Sequence, residues 1–544
     1  MNGNAQTAGV IQFRGNRSFT DNDLLRQMNR APGPWFSRAQ MDSLVERVLQ
    51  KYRSAGFYQA DIDAQWSPDS SGIALDIREG RRFLAGRIGL DGNRFLGAKF
   101  LSDLLRTKPG AVLDSATLAD DLARISQTYA DNGFPHAEVS LAGFQLSQDS
   151  VDFSYRIEEG PRVLVNRIGF EGNTVTKPLV AAKISGLRPN EVFDRRKVER
   201  AEKNLLRSEL FMQVDQPYLV ATAEEGKEDL FFRVVEGRYN TFYGALGYNQ
   251  GQASQKGWLA GTVDLRLKNI AGTARKFFLH WERPRRETTQ LEAFYHEPWL
   301  WLVRAGADIA LNHRIQDSSF TQTTGRATLQ IPLSDDITAG AGLGIERVVP
   351  GSSLQVKRSL TYSSLWSLQA DFRRGFQLRY GPWYRLEVDY GRKIYYQPSS
   401  QLTVSRILFD GLWLVPVARG QAWFTGLHGR ALVSSEHPAP RCDQFTLGGA
   451  RSLRGYLEEQ FIAGRLLWCN IEYRFLPASG FECYPFCDAG YYRDADRGLQ
   501  GFRMGYGAGF RLNTRLGWIS VDYGLGKGDK PLDGKVHLGL ESIF

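Results

Sequence analysis

The chain has 544 residues, a net charge of +9 and a mean hydropathy of −0.35, with 12% aromatic residues and 56 glycines. This length suffices for several domains, and many aromatic and glycine residues favour a β-rich fold. No apolar run approaches the roughly 18 residues of a membrane-spanning helix. The basic residues are interleaved with acidic ones rather than clustered, which argues against a nucleic-acid partner.

The N-terminal residues Met1-Asn2-Gly3-Asn4 lack the basic start and apolar stretch of a secretory signal. We therefore expect a mature form with an added start codon. A membrane protein with this composition would have to cross the bilayer with strands, whose apolar and polar residues alternate.

Three units of similar pattern occupy the first 240 residues. Each begins with a short apolar strand and a Gly-Asn pair: Gly15-Asn16, Gly92-Asn93 and Gly172-Asn173. Each closes with a Glu-Gly pair: Glu79-Gly80, Glu159-Gly160 and Glu236-Gly237. These marks recur at intervals of 77 and 80 residues, which indicates a repeated domain.

Within each unit the pattern reads strand, helix, helix, strand, strand. In the first unit it predicts helices over 21–28 and 37–54, then strands over 60–65 and 72–78. The second helix stops at Gly56-Phe57 and Gly133-Phe134 in the first two units, where the third has Leu210-Phe211. We predict three βααββ domains over 8–82, 83–161 and 162–239. Three unrelated α/β modules would require these shared marks to be coincidental.

From Tyr239 to the C-terminus the helical pattern gives way to alternating strands. We predict sixteen, over 241–250, 257–270, 276–284, 288–297, 303–313, 318–332, 337–348, 358–372, 376–394, 401–416, 421–434, 464–475, 481–492, 501–513, 517–526 and 535–544. An even number in this range is typical of single-chain outer-membrane barrels. Residues 240–544 are therefore predicted to form a transmembrane antiparallel β-barrel. Its longest segment without a strand pattern, 435–463, is predicted to be a loop.

This loop contains the most specific motif in the chain, GGARSLRGY at 448–456, which is followed by FCDAG at 486–490. The motif residues are Gly448, Gly449, Leu453, Arg454, Gly455 and Tyr456 in the loop, and Phe486, Asp488 and Gly490 in a strand. A further acid, Glu472, lies between them. Charges are costly to bury singly and tolerable when paired, so a loop folded into a barrel lumen would need such an arrangement.

The motif pair resembles the BamA/TamA superfamily of outer-membrane assembly and translocation barrels, and the βααββ units resemble its periplasmic POTRA domains. The resemblance implies that Arg454 reaches into the barrel towards Asp488 and Glu472. The terminal Phe544 is similar to the export and assembly signal of such barrels. The layout of three repeats and sixteen strands, together with the sequence motif GGxxSLRGY, is closest to that of TamA, although short BamA-like proteins share that layout.

The resemblance also implies a location and partners. The barrel would lie in the bacterial outer membrane and the POTRA units in the periplasm. Partners would be unfolded outer-membrane proteins as clients, outer-membrane lipid, and a periplasmic or inner-membrane-anchored protein. Two-partner secretion transporters have a similar barrel but two POTRA units and a plug helix, which fit this chain less well.

We predict that clients insert or cross through a seam between the first and last barrel strands. Unpaired backbone groups in lipid are costly, so a weakly paired seam could accept a client strand by β-augmentation. Gly244, Gly247 and Gly539 would weaken packing there. The alternatives are a passive pore or a two-partner-secretion-type transporter, and a soluble β-sandwich binding protein.

Catalytic motifs are missing from the sequence, so we predict neither an enzyme nor a bound cofactor or metal. There is no nucleophile elbow, P-loop or HExxH motif. The glycine-rich stretch 505–509 lies in a β-pattern, where we interpret its small residues as an effect of wall curvature. The four cysteines, Cys442, Cys469, Cys483 and Cys487, are interpreted as small buried apolar residues, with a disulfide as the alternative.

Overall fold

The computed structural model describes residues 10–28, 38–66, 72–237, 240–249, 258–285, 287–300, 305–316, 319–351, 356–374, 380–478, 480–494, 497–514 and 517–543. Two compact units are distinguished. One comprises Met1–Ile168, Arg188–Glu199 and Tyr218–Leu230, and the other Gly169–Leu187, Arg200–Pro217 and Phe231–Phe544. Among the described residues no helix is both long and apolar enough to cross a membrane.

The first two repeats have the predicted βααββ order. The first contains β1 (Val10–Arg14), α1 (Asp21–Gln27), α2 (Arg38–Ser54), β2 (Asp61–Trp66) and β3 (Gly72–Arg78). The second contains β4 (Leu84–Asp91), α3 (Ala98–Leu104), α4 (Ser115–Asp131), β5 (Glu138–Ser147) and β6 (Ser150–Glu158). In both sheets the last strand is central, with orders β1-β3-β2 and β4-β6-β5, and the first strand runs parallel to it.

Local signals define the ends of these helices. The Thr20 hydroxyl accepts the Asp23 backbone N–H and the Asp23 carboxylate accepts the Thr20 N–H, which forms a capping box for α1. The Asp114 carboxylate accepts two backbone N–H groups at the start of α4. After α2 and α4 the chain turns at Gly56 and Gly133, with φ of +87° and +100°, a conformation that favours glycine.

The third repeat keeps this order and adds two short strands. It contains β7 (Leu164–Glu171), α5 (Pro178–Ser185), β8 (Glu191–Val192), α6 (Arg195–Arg207), β9 (Phe211–Val214), β10 (Tyr218–Ala221) and β11 (Lys227–Glu236). The sheet order is β10-β11-β7-β8, with β9 beside β11. At the position of the helix-stop glycines, two residues after the helix end, stands Glu209 with a φ of +61°, so the predicted alignment of Leu210 with these glycines was one residue too late.

The repeated Gly-Asn pairs have a steric cause. Gly15, Gly92 and Gly172 have φ of +82°, +88° and +91°. A Cβ at any of them would lie 2.2, 2.1 and 2.1 Å, respectively, from the carbonyl oxygen two residues before the Glu-Gly pair of that repeat. Only glycine allows the turn to approach the central strand so closely.

The glutamates of the repeated Glu-Gly pairs accept hydrogen bonds from backbone N–H groups just after the Gly-Asn pairs. The Glu79 carboxylate accepts the Ser18 N–H, and that of Glu159 accepts the Arg94 and Phe95 N–H groups. In the third repeat Glu236 accepts three successive N–H groups of residues 174–176. These carboxylates satisfy backbone donors that have no partner in the sheet.

The sixteen predicted barrel strands are confirmed, and they form one closed antiparallel barrel. They are β12 (Thr241–Asn249), β13 (Trp258–Ile270), β14 (Arg275–Arg285), β15 (Thr288–Glu297), β16 (Gly306–Gln316), β17 (Phe320–Pro332), β18 (Ile337–Pro350), β19 (Ser359–Asp371), β20 (Gly381–Tyr396), β21 (Ser399–Ala418), β22 (Gln421–Ser434), β25 (Arg465–Ala478), β26 (Phe481–Asp494), β27 (Leu499–Thr514), β28 (Gly517–Gly526) and β29 (Lys535–Ile543). The segment 435–463 is not free of strands, because β23 (Phe445–Leu447) and β24 (Phe461–Ala463) pair as a small ribbon. The C-terminal Phe544 lies outside the described residues.

Alternation along each barrel strand separates a lumen face from an outer face. In β25, Trp468 and Glu472 are buried, whereas Leu467 and Phe475 on the other face are 52% and 40% exposed. Large apolar side chains are also exposed elsewhere on the wall, including Leu343 and Trp366. Such an apolar outer surface is suited to lipid.

The barrel closes between β12 and β29 with little pairing. Only two pairs of residues are in register there, Thr241 with Ile543 and Phe242 with Ser542, within the described parts of the two strands. By comparison, nine pairs join β12 to β13 and seven join β28 to β29. The seam is therefore the most weakly paired of these three junctions.

Candidate functional site: a loop bound inside the barrel

The Arg454 side chain lies inside the barrel wall and binds two acids. Its Nε and Nη2 atoms donate to the two oxygens of Asp488, both at 2.8 Å, and Nη1 donates to Oε1 of Glu472 at 2.8 Å. The Arg454 backbone N–H also donates to Asp488, at 3.0 Å. The exposed fractions of Arg454, Glu472 and Asp488 are 4%, 3% and 0%. The structure thus brings together the three charged residues singled out in the sequence.

Further wall residues complete the cluster. The guanidinium carbon of Arg454 lies 3.7 Å from the centre of the Phe486 ring, a cation–π contact. Asp522 on β28 is 3.6 Å from Nη1 of Arg454. Arg474 donates to Oε2 of Glu472 at 2.9 Å and stacks over Phe424. Three acids and two arginines therefore share this site, so each buried charge has an opposite charge nearby.

Arg474 and Asp522 were not predicted as parts of the site. Arg474 lies two residues after Glu472 and therefore on the same face of β25, which was an available signal. Asp522 stands in an alternating strand with no local feature that relates it to the loop. Only the register of β28 beside β27 places it near Arg454.

Glycines in the barrel wall leave the space that the loop backbone needs for its close approach. A Cβ at Gly505 would lie 1.9 Å from the carbonyl oxygen of Arg454, and one at Gly524 would lie 2.6 Å from the Gly455 nitrogen. Gly455 itself has a φ of +88°, and its own Cβ would meet the Leu525 carbonyl. Close approach of the loop, rather than curvature, therefore explains the glycine at position 505.

The remaining motif residues set the backbone conformation of the loop and hold it against the barrel wall. Gly448 and Gly449 have φ of +123° and +97°, and the Ser452 hydroxyl accepts the Gly448 N–H. Leu453 is fully buried and lies 3.4 Å from the Cβ position of Gly490. The Tyr456 hydroxyl donates to the Met504 carbonyl at 3.0 Å. The motif thus combines a tight turn with an apolar and a polar contact to the wall.

Space remains in the lumen beside the loop. A cavity of about 1940 Å³ is lined by both loop and wall residues, among them Arg451, Glu458 and Glu459 from the loop. Unlike Arg454, Arg451 is exposed. The loop therefore occupies only part of the lumen.

The four cysteines are free thiols, and no disulfide joins them. Cys442 in the loop is buried, with 8% exposure, whereas Cys469, Cys483 and Cys487 are partly exposed on the wall strands. The interpretation as small buried residues agrees with the burial of Cys442, whereas the three wall cysteines are only partly buried.

Three α/β repeats, a closed sixteen-stranded barrel and a lumen loop held by an arginine define a POTRA-barrel protein. Residues 7–80, 85–160 and 163–237 match the POTRA family, described as a surface antigen variable number repeat, and residues 269–544 match the Omp85 superfamily domain. The chain belongs to the Omp85 superfamily. It is an outer-membrane protein whose POTRA repeats lie in the periplasm.

Its relatives include two outer membrane protein assembly factors named BamA. The BamA of Nitratidesulfovibrio vulgaris is 23% identical over 95% of this chain and 70% of its own length. That of Neisseria meningitidis serogroup B is 23% identical over 82% of this chain and 61% of its own length. Both names are those of assembly factors, in agreement with the prediction that the chain is not an enzyme. The preference for a TamA-like layout stays a prediction.

Two solved structures have a similar fold. One is BamA from Haemophilus ducreyi lacking POTRA domains 1–3, with a TM-score of 0.52 and 16% identity over 85% of this chain and all of that chain. The other is CdiB from Escherichia coli, with a TM-score of 0.51 and 16% identity over 97% of this chain and all of that chain. At this identity the likeness concerns the fold alone.

Proposed function

We propose that the protein assembles other outer-membrane proteins by opening the seam between β12 and β29 and pairing the freed strand edges with a client. The observation that carries the proposal is the short register at this seam, two residue pairs against nine at the β12–β13 junction. Separating the seam breaks few backbone hydrogen bonds compared with separating neighbouring strands. A client strand could then replace them by β-augmentation.

The Arg454 site would stabilise the barrel wall beside the seam. Its acids come from β25, β26 and β28, and β28 is the neighbour of the last strand, β29. Because the site crosslinks these strands through one loop residue, they could keep their register while β29 separates from β12. In this proposal Arg454 braces the barrel, and the same ion pairs contribute to barrel stability.

The POTRA repeats would receive clients, or a periplasmic or inner-membrane-anchored partner, before insertion. Each of the first two sheets has an edge strand, β2 and β5 respectively, next to its central strand. Edge strands offer unpaired backbone groups that an extended chain can use. Assembly of outer-membrane proteins is the activity in the names of the two relatives, which supports the proposal.

Reconstitution into lipid vesicles tests this function. Purified protein should accelerate the folding of a urea-unfolded outer-membrane barrel into the vesicles, measured by its heat-modifiable gel migration. Protein-free vesicles are the baseline, and vesicles with a porin of similar size are the control for a general bilayer defect. Steady ion conductance without faster client folding would instead indicate a passive pore.

A further inference from the structure

The lumen loop is also held at a second place, by wall strands that precede β22 in the barrel order. Asp443, near the start of the loop, is buried, and its Oδ2 atom is 2.5 Å from Nζ of Lys393. Its Oδ1 atom is 3.1 Å from Nη2 of Arg406. The side chains of Lys393 and Asp443 are 1% and 0% exposed. No sequence motif marked these residues.

The charged wall residues of the second cluster lie on different strands from those of the first. Lys393 lies on β20 and Arg406 on β21, and Arg406 also binds Glu346 of β18 at 3.2 Å. The acids near Arg454 lie on β25, β26 and β28, and β22 lies between the two groups of strands in the barrel order. The charges are also reversed: here an acid of the loop enters a site with two wall cations.

Apolar contacts surround the second cluster. Cys442, the residue before Asp443, packs with Phe320, Val348 and Val356. Ala439 packs with Val404 and Leu432. The first part of the loop thus packs against the barrel wall through its own apolar contacts.

We propose that Asp443, with Lys393 and Arg406, is a second anchor that positions the first part of the loop, residues 437–443, independently of Arg454. Removing one partner of a buried ion pair is strongly destabilising, because it leaves the other charge buried and uncompensated. Removing Asp443 therefore favours release of this part from the wall. Removing Arg454 leaves the ion pairs of Asp443, and the strands β20 and β21 that supply its cations, unchanged. This inference goes beyond the proposed function and does not depend on client insertion.

The buried Cys442 thiol is a native reporter of this anchor. The parent protein carries Cys469→Ala, Cys483→Ala and Cys487→Ala, which leave Cys442 as the sole thiol. The rate of labelling by a bulky water-soluble maleimide is measured on the full chain in detergent. Heat-modifiable migration confirms that each variant keeps a folded barrel.

In this background Asp443→Asn should raise the labelling rate about tenfold or more, because local opening exposes the thiol. Lys393→Met should also raise it, and the double variant should show less than the product of the two effects, because both remove one pair. The matched control is Glu459→Gln, which removes an exposed loop acid bound to Arg314 at 2.7 Å. It should leave the rate within about twofold, a change typical of a surface substitution.

The decisive comparison is with Arg454→Ala, which should also leave the rate within about twofold if the anchors are independent. An unchanged rate in Asp443→Asn would overturn the anchor. An equal acceleration by Arg454→Ala would show that the loop moves as one body and would overturn independence. If Asp443→Asn does not fold, the other two variants decide. The proposal is contradicted if Arg454→Ala raises the labelling rate or if Lys393→Met leaves it unchanged.

Discussion

Arg454 and Asp488 are joined by three hydrogen bonds, two from the guanidinium and one from the backbone N–H of Arg454. Asp488 thus recognises both the side chain and the backbone position of the loop. A lysine could not reproduce the paired contact of a planar guanidinium with a carboxylate. These hydrogen bonds therefore fix the orientation of the loop backbone at Arg454 and also neutralise its charge.

Arg454→Ala should destabilise the barrel by about 3–5 kcal/mol, because Asp488 would remain buried without its cationic partner and Glu472 would keep only Arg474. The matched control, Arg451→Ala, changes an exposed arginine of the same loop and should alter stability by less than about 0.5 kcal/mol. The measurement is the urea concentration at which heat-modifiable migration is lost. Equal, small effects of the two changes would contradict a loop held from inside the barrel.

The strands and repeats could be predicted from the sequence because their signals are local. Alternation of apolar and polar residues is a property of each strand by itself, and the repeats carry the same turn residues at intervals of 77 and 80 residues. The Arg454 motif was likewise visible because its residues are contiguous. Each of these patterns can be recognised without knowing which strands become neighbours.

What the sequence could not reveal depends on barrel register. Asp443 and Lys393 are 50 residues apart, and Asp522 reaches Arg454 only because β28 lies beside β27. Gly505 was explained by curvature because the backbone that approaches it belongs to a distant loop. The extra strands of the third repeat were missed because β8 has only two residues and β9 only four.

The first 239 residues, expressed alone, should form a soluble folded α/β protein. The first two repeats have their own buried cores, centred on Tyr52 and on Tyr129. The third repeat should be the least stable, because Thr176 loses its buried hydrogen bond from Asn269 of the barrel strand β13. Circular dichroism and hydrogen exchange would test this, and a fragment that is disordered or requires detergent would argue against the domain boundary.

Gly92→Ala should destabilise the second repeat far more than Gly110→Ala. Both glycines have positive φ, +88° and +84°, but a Cβ at position 92 would lie 2.1 Å from the Ile157 oxygen, whereas nothing lies within 4 Å of one at position 110. The left-handed backbone alone costs an alanine about 1–2 kcal/mol. We expect Gly92→Ala to exceed the control by about 2 kcal/mol or more in urea unfolding of the fragment. Similar losses would mean that φ alone selects these glycines.

Acid should loosen the turns that the Glu-Gly pairs hold. Burial raises the pKa of Glu159, but hydrogen bonds from the Phe95 and Arg94 N–H groups and the Tyr129 hydroxyl outweigh it, so the pKa lies below the ordinary 4.5. A lowered folded-state pKa gives stability that is present above the unfolded value and is lost as pH falls through the folded value.

The fragment should therefore lose stability as the pH falls below about 4.5, the ordinary glutamate value, and Glu159→Gln should reduce that loss. Unfolding by urea at a series of pH values measures both. A pH dependence identical in the variant and the parent would show that Glu159 does not contribute. Glu158→Gln, which changes the exposed neighbouring acid, is the matched control.

The central claim is that the β12–β29 seam must open, and a reversible crosslink tests it most directly. With Cys442, Cys469, Cys483 and Cys487 replaced by Ser or Ala, cysteines are introduced at one of the two registered pairs, Thr241 with Ile543 or Phe242 with Ser542. The oxidised protein should stay folded and embedded, because closure leaves no free edge in lipid. We predict that it no longer accelerates client folding in vesicles and that reduction restores the activity. Full activity of a protein shown to be crosslinked would contradict the account and place the mechanism in the lumen or the POTRA repeats.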